Sequence, residues 1–277
     1  MKGKTCVITG ATDGIGLEAA AGLGALGARL VLVGRNRAKG EVVLAALRQR
    51  VPGIVAEMHY ADLSRRDEVQ RLASELLAAA PRIDVLLNNA GAFFEKRAVI
   101  GDGLEQTFAL NHMGYFRLTA PLRERLIASA PSRIVNVASE AHRNAALDFE
   151  DLQTANAYSG WKAYQRSKLA NILFTRALAR RLAGTGVTAN CLHPGFVATG
   201  FGNNNRGLWG IGIRLGKLFA AIPVPRGAET PVYLASAPEV EGVSGKYFDK
   251  CRERDPNAAA RNDADAERLW EVSERLA

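Results

Sequence analysis

The strongest constraint on the fold is the alternation of short apolar runs with longer helical stretches along the whole chain. Thr5 to Thr9 is the first apolar run, and the stretch that follows it, Gly14 to Leu26, has helical periodicity. Runs that are apolar throughout are typical of strands in a parallel sheet that is covered on both faces. Because crossovers between parallel strands are right-handed, the pattern predicts an α/β fold with a doubly wound parallel sheet and helices on both faces.

The same alternation predicts the remaining elements. No internal repeat and no linker rich in Pro, Gly or Ser divides the chain, so residues 1–277 are predicted to form a single Rossmann-type domain. Further strands are expected at Arg29 to Val33, Val55 to Tyr60, Asp84 to Leu87, Arg133 to Val137, Thr188 to Leu192 and Val243 to Phe248. Further helices are expected at Lys39 to Arg50, Asp67 to Ala79, Leu104 to Ala130 with an interruption near Pro121, Ala157 to Leu182, and Ala228 to Ala237.

Composition excludes several classes of protein. The net charge is +8, but the arginines are dispersed and no motif interleaves aromatic with basic residues, which argues for a solvated basic surface and against a nucleic-acid site. The four histidines lack metal-ligand spacing, so no metal site is expected. No apolar stretch reaches about 18 residues, so no transmembrane anchor is expected. The first predicted strand begins almost directly after Met1, so no signal peptide is expected. Three cysteines without regular spacing favour a reducing, cytoplasmic location.

A glycine-rich motif, Thr9-Gly-Ala-Thr-Asp-Gly-Ile-Gly16, lies between the first strand and the first helix. Since glycine has no Cβ, the turn can bend tightly and bring backbone N–H groups against a pyrophosphate, an anion that the helix N-terminus also favours. Gly-rich turns also occur for steric reasons alone, but here the preceding strand and the following helix both agree with a dinucleotide site. The predicted cofactor contacts are Gly10, Thr12, Asp13, Gly14, Ile15 and Gly16.

The end of the second strand indicates which cofactor is bound. A free ribose is usually held there by Asp or Glu, whereas Arg accommodates a 2′-phosphate. This chain has Arg35 and Arg37 at that place and no acid, and the guanidinium group suits bidentate phosphate contact. NADP(H) is therefore the predicted cofactor. The alternative is that one or both arginines are solvated and that the pocket tolerates either cofactor.

Two neighbouring Tyr–Lys pairs are candidates for acid–base chemistry, namely Tyr158 with Lys162 and Tyr164 with Lys168. Either spacing places both side chains on one helix face. A free Tyr is a poor acid at neutral pH, but a nearby Lys cation lowers its pKa, and it can then pass a proton to a carbonyl or take one from an alcohol. Gly160 lies inside the first pair, and a mid-helix Gly costs about 1 kcal/mol. We therefore expect Tyr158 at the helix entry and Tyr164 as the acid.

Together these motifs resemble those of the short-chain dehydrogenase/reductase family. Tyr164-Gln-Arg-Ser-Lys168 matches the family's common Y-x-x-S-K form, which again favours Tyr164 over Tyr158. Four other segments also match: Asn88-Asn-Ala-Gly91 after the fourth strand, Asn111 in the next helix, Ser139 after the fifth strand, and Pro194-Gly195 after the sixth.

The resemblance implies a catalytic set of Asn111, Ser139, Tyr164 and Lys168. Tyr164 would move the proton, Ser139 would hydrogen-bond the substrate oxygen, Lys168 would hold the nicotinamide ribose, and Asn111 would support a water chain to Lys168. Taken singly, Asn111 would instead bridge buried backbone, Ser139 would only end a strand, and Asp62 would more often cap a turn or helix. The further cofactor contacts that it implies are Asp62, Leu63, Asn89, Ala90, Gly91, Tyr164, Lys168, Pro194, Gly195, Val197 and Thr199.

Within the family, residues 161–174, Gly245 to Phe248 and the tail around Trp270 resemble retinol dehydrogenases and WW-domain-containing oxidoreductases. The resemblance implies hydride transfer between NADP(H) and an apolar aldehyde or ketone, or the matching alcohol. The substrate would be retinol-like or a ketone on a bulky secondary metabolite. The alternative is a non-catalytic NADP(H)-binding redox sensor or scaffold, which would not need the intact acid. A homo-oligomer is left open.

The stretch from Gly200 to Arg226 departs from the regular alternation. Its first half is rich in Gly and Asn, and its second half has Trp209, Phe219 and other apolar residues partly at helical spacing. Because it follows Pro194-Gly195, we expect a mobile lid that forms the apolar wall of the substrate pocket. The alternatives are that it covers the core or touches a membrane surface.

Overall fold

The computed structural model describes residues 1–197 and 222–277, and eight strands in this part of the chain form one sheet. They are β1 (Thr5–Thr9), β2 (Arg29–Gly34), β3 (Ala56–Tyr60), β4 (Val85–Asn88), β5 (Ser132–Val137), β6 (Val187–His193), β7 (Tyr247–Asp249) and β8 (Arg252–Arg254). The strand order is β3-β2-β1-β4-β5-β6-β7-β8. β1 to β7 run parallel, and β8 pairs antiparallel with β7. This order confirms the predicted doubly wound parallel sheet.

Helices cover both faces of the sheet, as predicted. They are α1 (Gly14–Ala25), α2 (Arg37–Arg50), α3 (Arg66–Ala79), α4 (Gln106–Phe108), α5 (Gly114–Ala128), α6 (Gly160–Arg181), α7 (Val224–Ser236) and α8 (Asp263–Leu276). Helices α1, α2 and α7 pack into one apolar layer, and α3, α5, α6 and α8 pack into the other. A π-helical turn, Ala109–Met113, joins α4 to α5, and a 3-10 helix, Glu140–Asn144, follows β5.

The residues of each inner strand alternate between the two apolar layers. In β1, Val7 lies in the layer of α3 and α5, whereas Cys6 and Ile8 lie in the layer of α1. All three side chains are fully buried. A strand that is covered on both faces has no position for a solvated side chain, which explains why these runs are apolar throughout.

The sheet has its topological switch point between β1 and β4, which are neighbours although they are distant in sequence. In such sheets ligands bind in the crevice at the carboxyl ends of these strands. The glycine turn follows β1 and the loop formed by residues 89–91 follows β4, so both loops meet there. Thr9 Oγ1 joins them by accepting hydrogen bonds from the amides of Asn89 at 2.9 Å and Ala90 at 3.0 Å.

The long helix predicted over Leu104 to Ala130 is wrong in detail. Pro121 lies inside α5 without ending it, and the irregularity comes earlier, at the π-helical turn Ala109–Met113. Asn111 in this turn is hydrogen-bonded to both backbone groups of Ala92, which ties the turn to the loop after β4. Sequence periodicity does not report such a contact between distant residues.

The predicted last strand, Val243 to Phe248, is displaced to β7, and two further elements were not predicted. The first, β8, is a three-residue edge strand whose residues are all exposed, so it has no apolar pattern. The second, α8, is rich in charged residues. The sequence nevertheless contains two signs of this helix. Asn262 is a favourable capping residue, and the buried residues Ala266, Leu269, Trp270 and Ser273 follow helical spacing.

Thr199 and most of the predicted lid, Gly200 to Arg226, lie outside the described residues. At the end of that stretch, Val224 to Arg226 form the first turn of α7. The division of the chain into one domain with a lid therefore stays a prediction. Within residues 1–197 and 222–277, no helix is long and apolar enough to cross a membrane. Nor do His, Cys, Asp and Glu side chains gather in that part of the chain as a group of three that could hold a metal ion.

Replacing Gly16 in α1 is expected to destabilise the fold, because a Cβ there would lie 2.4 Å from Gly10 O and 2.5 Å from Asn89 Nδ2. Gly16→Ala should lower the free energy of unfolding by about 1–3 kcal/mol, since backbone must move. Gly22→Ala is the control on the same helix, because its Cβ would meet only the end of the Val232 side chain, at 3.1 Å. Urea unfolding of the ligand-free protein measures both, and equal effects would contradict this account of the glycine turn.

Candidate active site

The glycine turn packs closely against the loop after β4 and is tied to it by hydrogen bonds. Gly10 and Gly14 have φ angles of +66° and +51°, which favour glycine. Asn89 Nδ2 donates to Thr9 O at 2.9 Å, and a Cβ on Gly10 would lie 2.9 Å from Ala90 Cα. The predicted residues of the two loops therefore come together at the switch point. Thr9, which was not among the predicted contacts, is the residue that joins them.

Three cations lie beyond the end of β2. The Arg35 side chain is 67% exposed and its guanidinium is 3.9 Å from the Asp62 carboxylate. The guanidinium carbon of Arg37 lies 4.4 Å from the centre of the Tyr60 ring, and Lys39 Nζ lies 2.6 Å from Asp13 Oδ2. Lys39 was not predicted as a site residue, although its place in the first turn of α2 could have indicated it.

Asp62 and Leu63, the pair implied to contact adenine, have structural partners of their own. Asp62 Oδ1 accepts from the amide of Ser64 at 3.0 Å and from its hydroxyl at 2.7 Å, so it shapes a turn as its alternative role predicted. The Leu63 side chain is buried, and its backbone carbonyl lies against Gly114. About a quarter of the Asp62 side chain remains exposed.

A chain of buried amide and hydroxyl groups fixes α6 against the sheet. Asn88 Nδ2 donates to Asn136 Oδ1 at 2.9 Å, and Asn136 Nδ2 donates to Thr175 Oγ1 at 2.9 Å. Asn171, one turn before Thr175, donates to Val137 O at 3.4 Å. Because buried polar groups are costly unless paired, these bonds restrict how α6 can rotate or slide. They set the position of the Tyr–Lys pair on the same helix.

Tyr164 and Lys168 lie one turn apart on α6, below the carboxyl end of β5. Lys168 Nζ donates to Val137 O at 3.0 Å and is 5.7 Å from the centre of the Tyr164 ring. The side chain of Ser139, just past β5, is close enough to the Tyr164 hydroxyl to act on it and lower its pKa. Its Oγ also accepts from the Ala141 amide at 3.2 Å, so the alternative role at a strand end is real as well. Three of the four predicted catalytic residues thus meet at one point.

Burial controls the charges of this pair in the polypeptide by itself. It raises the pKa of Tyr164 to about 12, and the opposing effect of the Ser139 side chain is the smaller of the two. It lowers the pKa of Lys168 to about 7. The expected lowering of the Tyr164 pKa by Lys168 is therefore absent here, because desolvation disfavours both the phenolate and the ammonium.

Asn111 contacts backbone and α6 at the same time. Its side chain accepts from the Ala92 amide and donates to Ala92 O, each at 2.9 Å, and it donates to Ser167 Oγ at 3.0 Å. The alternative role, bridging buried backbone, is therefore present. A Cβ on Gly91 would lie 3.1 Å from Asn111 Oδ1 and 3.4 Å from Lys168 Nζ. Gly91 thus keeps open the space between these two side chains.

The competing pair, Tyr158 and Lys162, is not arranged for acid–base chemistry. Tyr158 precedes Ser159, which caps α6, so it lies at the helix entry as predicted. Its hydroxyl lies 3.1 Å from Phe94 O and 3.2 Å from Glu105 Oε1, and the buried Glu105 carboxylate also accepts from the Thr107 and Phe108 amides. Tyr158 thus anchors the segment after β4.

Aromatic side chains line one side of Tyr164. The Trp161 ring stacks on it with centroids 5.7 Å apart, and Phe93 meets both rings edge-on at 6.3 Å. Trp161 is 38% exposed, whereas Phe93 is buried. Neither was predicted as a site residue. The position of Trp161, three residues before Tyr164 on one helix face, is the signal that could have found it.

The turn after β6 contains the predicted contacts Pro194, Gly195 and Val197. Gly195 has a φ of +86°, and a Cβ there would lie 2.9 Å from Ile222 Cδ1. Val197 is buried and forms a parallel bridge with Ile222. These residues lie at the same edge of the sheet as the glycine turn, since all follow the carboxyl ends of parallel strands.

Comparison with known proteins agrees with this geometry. A profile of the family described as short chain dehydrogenase matches residues 4–207. The chain belongs to this family. Retinol dehydrogenase 14 of Homo sapiens is 43% identical over 294 residues, covering 99% of this chain and 86% of the relative. Retinol dehydrogenase 12 of Mus musculus is 41% identical over 273 residues, covering 98% and 85% respectively.

Solved structures of the family share the fold. A protein from Mycobacterium Paratuberculosis superposes with a TM-score of 0.80 at 30% identity, covering 99% of this chain and 93% of the other. A second structure is named as an NAD(P) dependent gluconate 5-dehydrogenase from Beutenbergia cavernae with bound NADP at low occupancy. It superposes with a TM-score of 0.71 at 28% identity, covering 90% of this chain and 95% of the other. The predicted family is thus confirmed, and the chain is a short chain dehydrogenase similar to retinol dehydrogenases.

The pKa of Lys168 makes stability depend on pH in a defined direction. Between about pH 7, where the buried amine titrates, and its ordinary pKa of 10.5, the unfolded chain binds more protons than the folded one. The free energy of unfolding should therefore rise with pH in this window, by at most about 1.4 kcal/mol per pH unit. Lys168→Met should remove this rise, as measured by urea unfolding of the ligand-free protein between about pH 7 and 9.

Lys162→Met is the matched control, because Lys162 is exposed on the first turn of α6. It should keep the pH dependence of the unmutated protein. Equal slopes in the unmutated protein and in Lys168→Met would contradict the desolvation of Lys168.

Proposed function

We propose that this short chain dehydrogenase transfers a hydride between NADP(H) and an apolar aldehyde or ketone, or the matching alcohol. The observation that supports it most is the meeting of Ser139, Tyr164 and Lys168, which come from two elements, at the edge where the glycine turn lies. The three free cysteines are consistent with a cytoplasmic location, which is part of the proposal.

The loops at the switch point fit a dinucleotide. The positions that a Cβ would occupy at Gly10 and Gly16 are already filled by backbone, so only glycine lets the turn approach the β4 loop. Arg35, Arg37 and Lys39 would hold the 2′-phosphate, and their exposure leaves them accessible. The remaining proposed contacts are Thr12, Asp13, Gly14, Ile15, Asp62, Leu63, Asn89, Ala90, Gly91, Lys168, Pro194, Gly195, Val197 and Thr199. When bound, the cofactor supplies or accepts the hydride.

The proposed path of the proton is based on the positions of three side chains. In the direction of reduction, the Tyr164 hydroxyl donates its proton to the carbonyl oxygen, which becomes the hydroxyl oxygen of the product. Ser139, whose side chain acts on the Tyr164 hydroxyl, would hold that same oxygen. Lys168, in its charged form, stabilises the phenolate that remains on Tyr164. In oxidation the same groups act in reverse.

The surroundings of Tyr164 favour an apolar substrate. Trp161 stacks on its ring and is partly exposed, so a substrate that reaches the hydroxyl passes an aromatic surface. Phe196, next to Gly195, is 47% exposed. The retinol in the names of the relatives and a bulky secondary-metabolite ketone are both apolar enough to gain free energy from burial against such rings.

Tyr164→Phe removes the proton donor and little else. It should lower kcat by about two to four orders of magnitude while leaving the thermal unfolding midpoint and the Kd for NADPH nearly unchanged. Tyr158→Phe is the control; it loses the contacts of its hydroxyl with Phe94 and Glu105 but should keep turnover. Turnover is measured as NADPH oxidation with a panel of aldehydes and ketones.

An exchange of the two outcomes would show that Tyr158 is the acid. Binding of NADPH by the unmutated protein without oxidation by any carbonyl in the panel would instead favour the non-catalytic sensor or scaffold.

Arg35→Asp should shift the preference from NADPH towards NADH, because a carboxylate repels the 2′-phosphate and can accept from a ribose hydroxyl. The ratio of kcat/KM for NADPH to that for NADH should fall about 10-fold to 100-fold, the range for a lost charge-assisted contact. Arg123→Asp makes the same charge change on α5 and should leave the ratio unaltered. Equal efficiency of the unmutated enzyme with both cofactors would overturn the proposed specificity.

A further inference from the structure

His193, the last residue of β6, makes three polar contacts with its ring nitrogens. Nδ1 accepts from the Gly195 amide at 3.0 Å. Nε2 lies 3.1 Å from Asp249 Oδ1 and 3.5 Å from Glu140 Oε2. The side chain is 13% exposed. Because a neutral imidazole has one donor and one acceptor nitrogen, acceptance at Nδ1 places the proton on Nε2, where the two carboxylates can accept it.

These contacts join the turn after β6 to the segment that contains Ser139. Glu140, which faces His193 Nε2, directly follows Ser139 and also accepts from the Tyr247 hydroxyl at 3.2 Å. The Tyr247 ring is parallel to the His193 ring, with centroids 6.3 Å apart. The Gly195 turn, the Ser139 segment and β7 therefore share one partly buried contact at His193.

We propose that His193 is a positioning residue, whose neutral imidazole holds the Gly195 turn in place through Nδ1 while Asp249 and Glu140 keep the proton on Nε2. The importance of this turn for the cofactor rests on the proposed function. In this conformation the chain resembles an Asx turn, in which a side-chain acceptor binds the amide two residues later. His193 performs that role with a group that can also be protonated.

Protonation of His193 turns the attractive contact between Nδ1 and the Gly195 amide into a repulsive one. A proton on Nδ1 would face the N–H of Gly195, two donors cannot hydrogen-bond each other, and the turn loses its anchor. Burial lowers the pKa of His193, although Asp249 and Glu140 act to raise it; Arg143 and Lys250 also act to lower it. Two other titratable groups act near the ring: Tyr247, which stacks on it, and His142, which interacts with it electrostatically. The neutral form is therefore favoured at neutral pH, and the anchor is lost as the pH falls below the pKa.

Two substitutions separate the two ring nitrogens. In His193→Asn the side-chain oxygen takes the place of Nδ1 and can accept from Gly195, but it cannot be protonated in this range. In His193→Gln the polar atoms reach the place of Nε2 and leave no acceptor at Nδ1. His59→Asn, on β3, is the control for removing a partly buried histidine that also faces carboxylates.

The readout is the Kd for NADPH, followed by calorimetry between about pH 5.5 and 8. His193→Gln should raise the Kd about fivefold at neutral pH, as expected for one lost hydrogen bond. His193→Asn should bind as the unmutated protein does at neutral pH and should lose affinity less as the pH falls. The 2′-phosphate also titrates near pH 6, but it does so for every protein compared, so the difference isolates His193.

Hydrogen-exchange protection of the Gly195 amide tests the anchor without any cofactor. It should fall on acidification in the unmutated protein and in His59→Asn, be low at all pH values in His193→Gln, and stay high in His193→Asn. Unchanged protection in His193→Gln would overturn the proposal. Normal exchange behaviour together with a complete failure to bind NADPH or NADH would overturn the proposed function instead and leave the positioning of the turn established.

Discussion

The site depends on the burial of the Lys168 amine at the carboxyl end of β5. The groups that the described chain offers it are a carbonyl, Val137 O, and two tyrosine rings, those of Tyr115 and Tyr164, rather than a carboxylate. Burial in such surroundings lowers the pKa of the amine to about 7. It can therefore change its charge near physiological pH, when a ligand or the phenolate of Tyr164 changes the local field. A carboxylate partner would fix the charge and remove this response.

Parallel-sheet topology explains how residues from distant parts of the chain reach one point. Every parallel strand ends at the same edge, so the turns after β1, β4, β5 and β6 lie side by side. The buried bonds from Asn88 and Asn136 to α6 then fix the helix that presents Tyr164 and Lys168. In the same way, His193 connects the last of these turns to the segment of Ser139. The scaffold provides the edge, and a few buried polar contacts set the spacing within it.

Most of the fold was predictable because strands covered on both faces leave an unbroken apolar signal. The parts that were missed lack that signal. β8 is exposed, α8 hides its apolar face among charged residues, and the π-helical turn depends on the contact of Asn111 with Ala92, which is distant in sequence. In the site, the position of Tyr158 before the start of α6 was predictable from Gly160, because a glycine is costly inside a helix. The pKa values were not, because they depend on burial, and burial is a property of the folded chain.

The central claim is that this site passes a hydride and a proton to a carbonyl that lies at Tyr164. The most direct measurement uses NADPH carrying deuterium at both C4 positions of the nicotinamide, with a long apolar aldehyde and the unmutated protein. The account predicts one deuterium on the carbinol carbon of the product alcohol. Product without deuterium at that carbon, or oxidation of NADPH without formation of the alcohol, would contradict it.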